Sequence, residues 1–387
     1  MYPGITDLIN DLLGTRISVH FPPTFGTFVA ISFLLAAWTL RKELNRRESV
    51  GLLPGTTVTF TKGGPAPVSE LFWNFVFGLL LGGKIGLAIS DSTAFFADPQ
   101  GALLSMKGNW LIGVLAGAFS AWLKYREYAS EQKKGLRKET INIHPSDRVA
   151  EFTMMAALGG ILGAKLFHLL EYWDDFIQDP IGSFFSGSGL TMYGGLIVGA
   201  IAVLWYARKN SIPLVHLCDS AAPGLMLAYG TGRIGCQLSG DGDWGIDNTA
   251  PKPDWMSFLP DWSWSYTYPH NVINEGVPIP GCDGRYCSEL STAVFPTPLY
   301  EAVACILFFF LIWGLRKNIT IPGRIFSLYL LLNGIERFLV ELIRVNSKYH
   351  LSGFSFTQAQ LISFLLLITG ISGWIFFGRK KTVLNGS

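Results

Sequence analysis

The sequence predicts an all-α, polytopic membrane helix bundle of about nine transmembrane spans, with an irregular extracytoplasmic loop region. Three observations predict it. Only 15% of the 387 residues are charged while 49% are hydrophobic and 14% aromatic, against about 25% charged in a soluble domain. Nine charge-poor runs lie near 24–41, 69–91, 108–124, 149–171, 190–207, 215–236, 297–315, 325–344 and 357–378, most of them close to the roughly 20 residues that cross the hydrocarbon layer. The basic residues alternate from one connecting segment to the next.

That alternation sets the orientation. Of 30 Lys and Arg, 20 lie in the connections 41–68, 124–148, 208–214 and 316–324 and in the tail 379–387. Six lie in the alternate connections, and four, Lys84, Lys165, Arg233 and Arg337, fall within spans. Excess Lys and Arg marks the cytoplasmic side, so the N-terminus is expected outside and the C-terminus inside. No basic n-region precedes the first apolar run, so that run reads as a retained span. The same composition excludes disorder. A net charge of +2 excludes a general nucleic-acid binder, which needs a basic face for phosphates. Membrane lipids are the expected surroundings, and no nucleic acid is an expected partner.

Residues 1–67 hold the first span and a basic cytoplasmic loop. Residues 68–148 and the stretch after 149 read as two copies of one unit. Val68-Ser-Glu70 matches Val149-Ala-Glu151, Gly83-Lys84 matches Ala164-Lys165, and Asp98-Pro-Gln-Gly101 matches Asp179-Pro-Ile-Gly182. Gly113-x-x-x-Gly117 and Arg126 match Gly195-x-x-x-Gly199 and Arg208. Copies two spans apart share their orientation, so the repeat is parallel. Small residues spaced by four let helix backbones approach closely, which assigns Gly82, Gly86, Gly159 and Gly163 a packing role.

The core is expected over 149–378, with an extracytoplasmic cap at 237–296 and a tail at 379–387. The cap is rich in Trp, Pro, Gly and Asp, and Trp244, Trp255, Trp262 and Trp264 are expected near the headgroups. Cys282 and Cys287 lie on its oxidising side and are expected to pair. Cys218, Cys236 and Cys305 read as packing residues. Asp241-Gly-Asp243-Trp-Gly245-Ile-Asp247 has a trace of a calcium loop, but position twelve is Lys252 rather than Glu. The histidines show no ligand spacing, so neither a metal nor another cofactor is expected.

An ionisable residue inside a span must face protein, water or a partner. At 1.5 Å per residue, Arg233, Arg337, Glu341, Arg344, Tyr193 and Tyr300-Glu301 share one layer, just under the outer headgroups. Lys84 and Lys165 reach the same layer and can snorkel outward. Arginine holds phosphate oxygens in a bidentate way, so the layer suits a phospholipid headgroup. Arg337 and Glu341, one turn apart, equally suit an ion pair that locks the bundle.

At these residues the chain resembles the prolipoprotein diacylglyceryl transferase family. The stretches that carry the resemblance are Met192-Tyr-Gly-Gly-Leu-Ile-Val-Gly199, Gly232-Arg-Ile-Gly-Cys-Gln-Leu-Ser-Gly240 with Trp244-Gly245, Pro296-Thr-Pro-Leu-Tyr-Glu301 and Gly334-Ile-Glu-Arg-Phe-Leu-Val-Glu-Leu-Ile-Arg344. The resemblance implies a bacterial inner-membrane enzyme. It would move diacylglycerol from phosphatidylglycerol to the lipobox cysteine thiol of a prolipoprotein signal peptide, forming a thioether and releasing glycerol phosphate. It implies Arg233, Arg337, Tyr193 and Glu341 as catalytic residues. Phosphatidylglycerol would meet Arg233, Arg337, Gly194, Gly195, Tyr300 and Arg344. The chain departs from the family pattern at four places: Tyr193 stands for a histidine, Cys236 for an asparagine, Asn333 for a tyrosine and Phe25 for a tyrosine. The phosphate-handling residues survive and the candidate base does not. Tyr193 then suits a hydrogen-bond donor to phosphate or glycerol. Two other readings stay open: a non-catalytic lipid-binding or assembly protein on the same fold, and a transporter, whose site would sit nearer the midplane between repeats.

Overall fold

Helices dominate the computed structural model, which describes residues 1–384 apart from 16, 18–19, 93–94, 96–101, 103–104, 186–190, 347 and 352–353. The repeat segment Asp98–Gly101 lies outside the described residues. The helices are α1 (Ile5–Leu13), α2 (Thr24–Ser49), α3 (Val68–Ser90), α4 (Trp110–Gln132), α5 (Val149–Glu171) and α6 (Trp173–Gln178). They continue with α7 (Pro180–Phe185), α8 (Met192–Lys209), α9 (Leu214–Ser239), α10 (Thr297–Leu315), α11 (Arg324–Glu341) and α12 (Gln358–Leu384). Among the described residues five are long and apolar enough to cross a membrane: α2, α3, α5 with its leading turn, α10 and α12. The chain is a polytopic helical membrane protein.

Two compact units divide it: residues 54–206, and residues 1–53 with 207–387. In the first, α3 packs on α4 and α5 on α8 through glycine. A Cβ on Gly82 would lie 2.3 Å from Ala116 Cβ, and one on Gly163 would lie 2.4 Å from Gly194 O. Each pair also carries the same turn contact. Asn109 N donates to Gly83 O, and Thr191 N donates to Ala164 O, both at 3.0 Å. β1 (Thr56–Lys62) pairs antiparallel with β2 (Arg137–Ile143), Thr59 opposite Thr140. Both strands fall within the expected cytoplasmic loops 41–68 and 124–148, where Val58 and Phe60 alternate with threonines.

In the second unit α2 packs on α9, α9 on α10, both on α11, and α11 on α12. Ala222, Met226, Cys305, Phe309, Ile312 and Ile325 form the apolar centre. Glu43, fully buried on α2, takes Arg47 at 3.0 Å, Arg46 at 2.5 Å and Arg316 at 3.3 Å. Asp219 on α9 accepts the backbone N–H groups of Gly323 at 2.8 Å and Phe326 at 2.9 Å. It thereby satisfies donors that the start of α11 leaves open and meets the positive end of that helix. Gly323 sits at φ 90°, in the left-handed region that favours glycine.

The segment between α9 and α10 is irregular, with one short pairing of β3 (Val277–Pro278) and β4 (Ser288–Glu289). Its core is Trp244, Tyr268, Leu290 and Val294. Trp244 is therefore an inward packing residue, not a surface anchor as expected. Its ring centre lies 5.0 Å from that of Tyr268, whose hydroxyl donates to Gln237 at 2.7 Å. Trp255 remains exposed. Cys282 and Cys287 are disulfide-bonded, Cα to Cα 5.6 Å. Beyond α11, β5 (Lys348–Leu351) pairs with β6 (Phe354–Thr357).

Candidate functional site

Three arginines converge on one glutamate. Glu301, in the second turn of α10, is 0% exposed. Its Oε2 lies 2.7 Å from Arg233 Nε, while its Oε1 lies 3.0 Å from Arg337 Nη1 and 3.3 Å from Arg344 Nη1. Asp243 takes the outer ends of the cluster, bonding Arg233 Nη1 through one oxygen and Arg344 Nη2 through the other. Arg337 Nη2 reaches Glu341 Oε2 at 3.3 Å, and Glu341 also accepts from Asn346 Nδ2 at 2.7 Å. Three guanidiniums thus face three carboxylates.

Local chain geometry brings them together. Pro296 and Pro298 start α10, and a carboxylate near a helix N-terminus meets the positive end of its dipole. Arg337 and Glu341 share a face of α11. Arg344 follows that helix and is bridged through its backbone to Gly245. A Cβ on Gly245 would lie 2.5 Å from Ile343 O, so this approach requires glycine. Thr297 Oγ1 donates to Asp243 O at 2.8 Å, tying the cap to the start of α10.

Burial pushes the Asp243 carboxyl up, but Arg233 and Arg344 more than offset it and hold it below the usual carboxylate range. Asp241 goes the other way: burial, then the Asp243 charge, raise it. Cys236 is buried beside them, its Sγ 3.7 Å from Arg233 Nη1. Ligand atoms of Cys236, Asp241 and Asp243 lie within 4.8 Å of one another. Asp243 is nevertheless spent on two guanidiniums, so a cation would meet like charge there. The set does not suit a metal. Cys236 does more than pack, because it borders the charged cluster.

The remaining sequence candidates make other contacts. Tyr300 is turned away, its hydroxyl donating to Ser263 O at 3.0 Å. Tyr193, Gly194 and Gly195 belong to the other unit, at the start of α8. There the two glycines serve the contact with α5: a Cβ would come within 2.4 Å of Gly163 O from Gly194, and 2.8 Å of Gly160 O from Gly195. Lys84 does not snorkel freely. Its ammonium donates to the carbonyls of Ala102 at 2.8 Å, Ser105 and Lys107 at 2.7 Å. Lys165 is buried on α5.

Sequence reading places Glu301 in the layer without giving it a role, and it misses Asp243. One signal pointed to them: three arginines in one dry layer need about three carboxylates, and Glu341 supplies one.

The model of the family described as prolipoprotein diacylglyceryl transferase matches residues 111–376. The match begins at the start of α4, inside the first repeat copy. Among similar curated proteins is a phosphatidylglycerol–prolipoprotein diacylglyceryl transferase of Dehalococcoides mccartyi. It is 31% identical over 240 residues, covering 61% of this chain and 79% of that protein. One of the same name from Leptospira interrogans is 27% identical over 282 residues, covering 59% and 80%. A third, from Shouchella clausii, is 28% identical over 267 residues, covering 69% and 83%.

Proposed function

This chain belongs to the prolipoprotein diacylglyceryl transferase family, and we propose that its arginine–carboxylate cluster serves the reaction for which its relatives are named. The chain is a bacterial integral membrane transferase that moves diacylglyceryl from phosphatidylglycerol to prolipoprotein. In finer terms, the acceptor is the lipobox cysteine thiol, the product is a thioether, and glycerol phosphate leaves.

The observation that carries the site assignment is the convergence of Arg233, Arg337 and Arg344 on Glu301 and Asp243. In the absence of lipid the carboxylates keep the guanidiniums aimed and neutralised. A phosphodiester arriving at the cluster exchanges with carboxylate oxygens and meets forks already in place, with little reorganisation. Arg233 and Arg337 then hold the phosphate and take up the charge that grows on it as the carbon–oxygen bond breaks. The same positive field favours the thiolate of the acceptor, whose thiol ordinarily titrates near pH 8.5. Glu341 fixes the direction of Arg337.

The topology that goes with this reading has nine spans, N-terminus and the 237–296 cap outside, C-terminus inside, in the inner membrane. Residues 68–148 are a duplicated two-span unit placed before the 149–378 core. One observation favours a non-catalytic lipid-binding role: every arginine of the cluster is already paired. Purified protein, phosphatidylglycerol and a lipobox peptide, read by mass, separate the two. The diacylglyceryl adduct is the expected product, and no adduct under conditions that serve a standard family member would sink the catalytic reading.

A further inference from the structure

Glu336 precedes Arg337 on α11 and stands apart from the paired cluster. It is 3% exposed; the Tyr229 hydroxyl is the side-chain donor that faces its carboxylate, and neither oxygen has a close hydrogen bond among the described residues. Facing it are Tyr229 and Arg233 from α9, Glu301 and Cys305 from α10, and Arg337 from its own helix. The Tyr229 hydroxyl donates to Glu301 Oε1 at 3.4 Å, and Arg233 lies over the Tyr229 ring at 5.4 Å. One hydroxyl therefore serves both the buried acid and Glu301, on which the arginines converge.

The charge count decides the state of that acid. Arg233, Arg337 and Arg344 are matched one for one by Asp243, Glu301 and Glu341. An ionised Glu336 would leave an unpaired negative charge in a dry site, which costs several kcal/mol. A phosphodiester would add a second. The low-energy arrangement has a proton on Glu336.

We propose that Glu336, protonated at rest, is the proton carrier of the transfer and works through the Tyr229 hydroxyl. This rests on the transferase reading above. As the sulfur–carbon bond forms, the carbon–oxygen bond to phosphate breaks and its electron pair leaves on the phosphate oxygen. That oxygen receives the Glu336 proton by way of Tyr229. The proton of the incoming thiol reloads Glu336. The net movement is one proton from thiol to glycerol phosphate, with nothing oxidised or reduced.

The test uses the full-length protein in phosphatidylglycerol nanodiscs with a lipobox peptide. Glu336→Gln keeps the shape and loses the exchangeable proton, so kcat is expected to fall roughly a hundredfold, as for loss of a positioned acid–base group. KM for the lipid should hold, and Glu336→Asp should recover part of the rate. Tyr229→Phe should show a similar kcat loss, and the double variant should be no worse than either. Infrared difference spectra between wild type and Glu336→Gln should contain the carbonyl band of a protonated carboxylic acid. Unchanged kcat and pH profile in Glu336→Gln, or absence of that band, overturns the inference. If Glu336→Gln does not fold, Tyr229→Phe decides: full activity overturns it and the kcat loss supports it. Inactive wild type would instead sink the transferase reading itself, so the two failures are distinct.

Discussion

Glu301 Oε1 meets Arg337 Nη1 at 3.0 Å, joining α10 to α11 across 36 residues of chain. Arg337 is thereby held from two sides, by Glu301 on the neighbouring helix and by Glu341 on its own. A guanidinium gripped in this way is aimed before any phosphate arrives.

Arg337→Lys keeps the charge and removes the fork. Turnover is expected to drop at least about tenfold, near 1.4 kcal/mol of transition-state stabilisation, while the protein still inserts and folds. A purely structural ion pair would behave otherwise: activity stays intact and the melting point falls together with that of Glu341→Gln. Turnover and thermal unfolding on one preparation separate these.

Glu301→Gln leaves three arginines short of a carboxylate in a dry site. Breaking such a buried network costs about 3–5 kcal/mol, so a clear fall in the unfolding midpoint is expected, along with loss of transfer. A midpoint equal to that of wild type would show that the arginines do not depend on Glu301.

The cap should respond to acid. Asp243 titrates below its ordinary range, so the stability it contributes is present above its unfolded pKa of about 3.9. That stability is lost as the pH falls through the lower folded value. Asp241, held above its ordinary range, has the opposite sign and favours the folded state less as the pH rises. Asp243→Asn is therefore expected to remove much of the acid-side loss in unfolding midpoint. An unaltered acid limb would place that loss on other groups.

Orientation can be read directly. A reporter that works only in the cytoplasm should be active when fused after Lys381 and silent when fused within 250–290. The reverse at either position refutes the assigned topology.

The long helices were legible because apolar runs and glycine spacing are local signals. The run at 24–41 foreshadows α2, although the helix continues to Ser49 through the basic residues that bind Glu43. The ion pair of Arg337 with Glu341 was legible because it spans one turn. The partners Glu301 and Asp243 were not, since they reach Arg344 across 43 and 101 residues, and only the packing of separate helices brings such positions together. Tyr300 illustrates the converse. It adjoins Glu301 in sequence, yet neighbours on a helix point about 100° apart, and its hydroxyl goes to the cap.

Glu43 and Glu301 are both fully buried, each bound by three arginines. Glu301 on α10 and Arg316 at the end of that helix, which belongs to the Glu43 knot, are about 22 Å apart at 1.5 Å per residue. The order of synthesis matters for such knots. Arg233 and Glu301 can neutralise each other once α9 and α10 are in the membrane, but Arg337 and Arg344 arrive only with α11. The Glu43 knot likewise stays open until Arg316 has emerged, some 270 residues after it. A nascent chain stopped before α11 has its Glu43 knot closed but lacks two of the three arginines that neutralise Glu301 and Asp243.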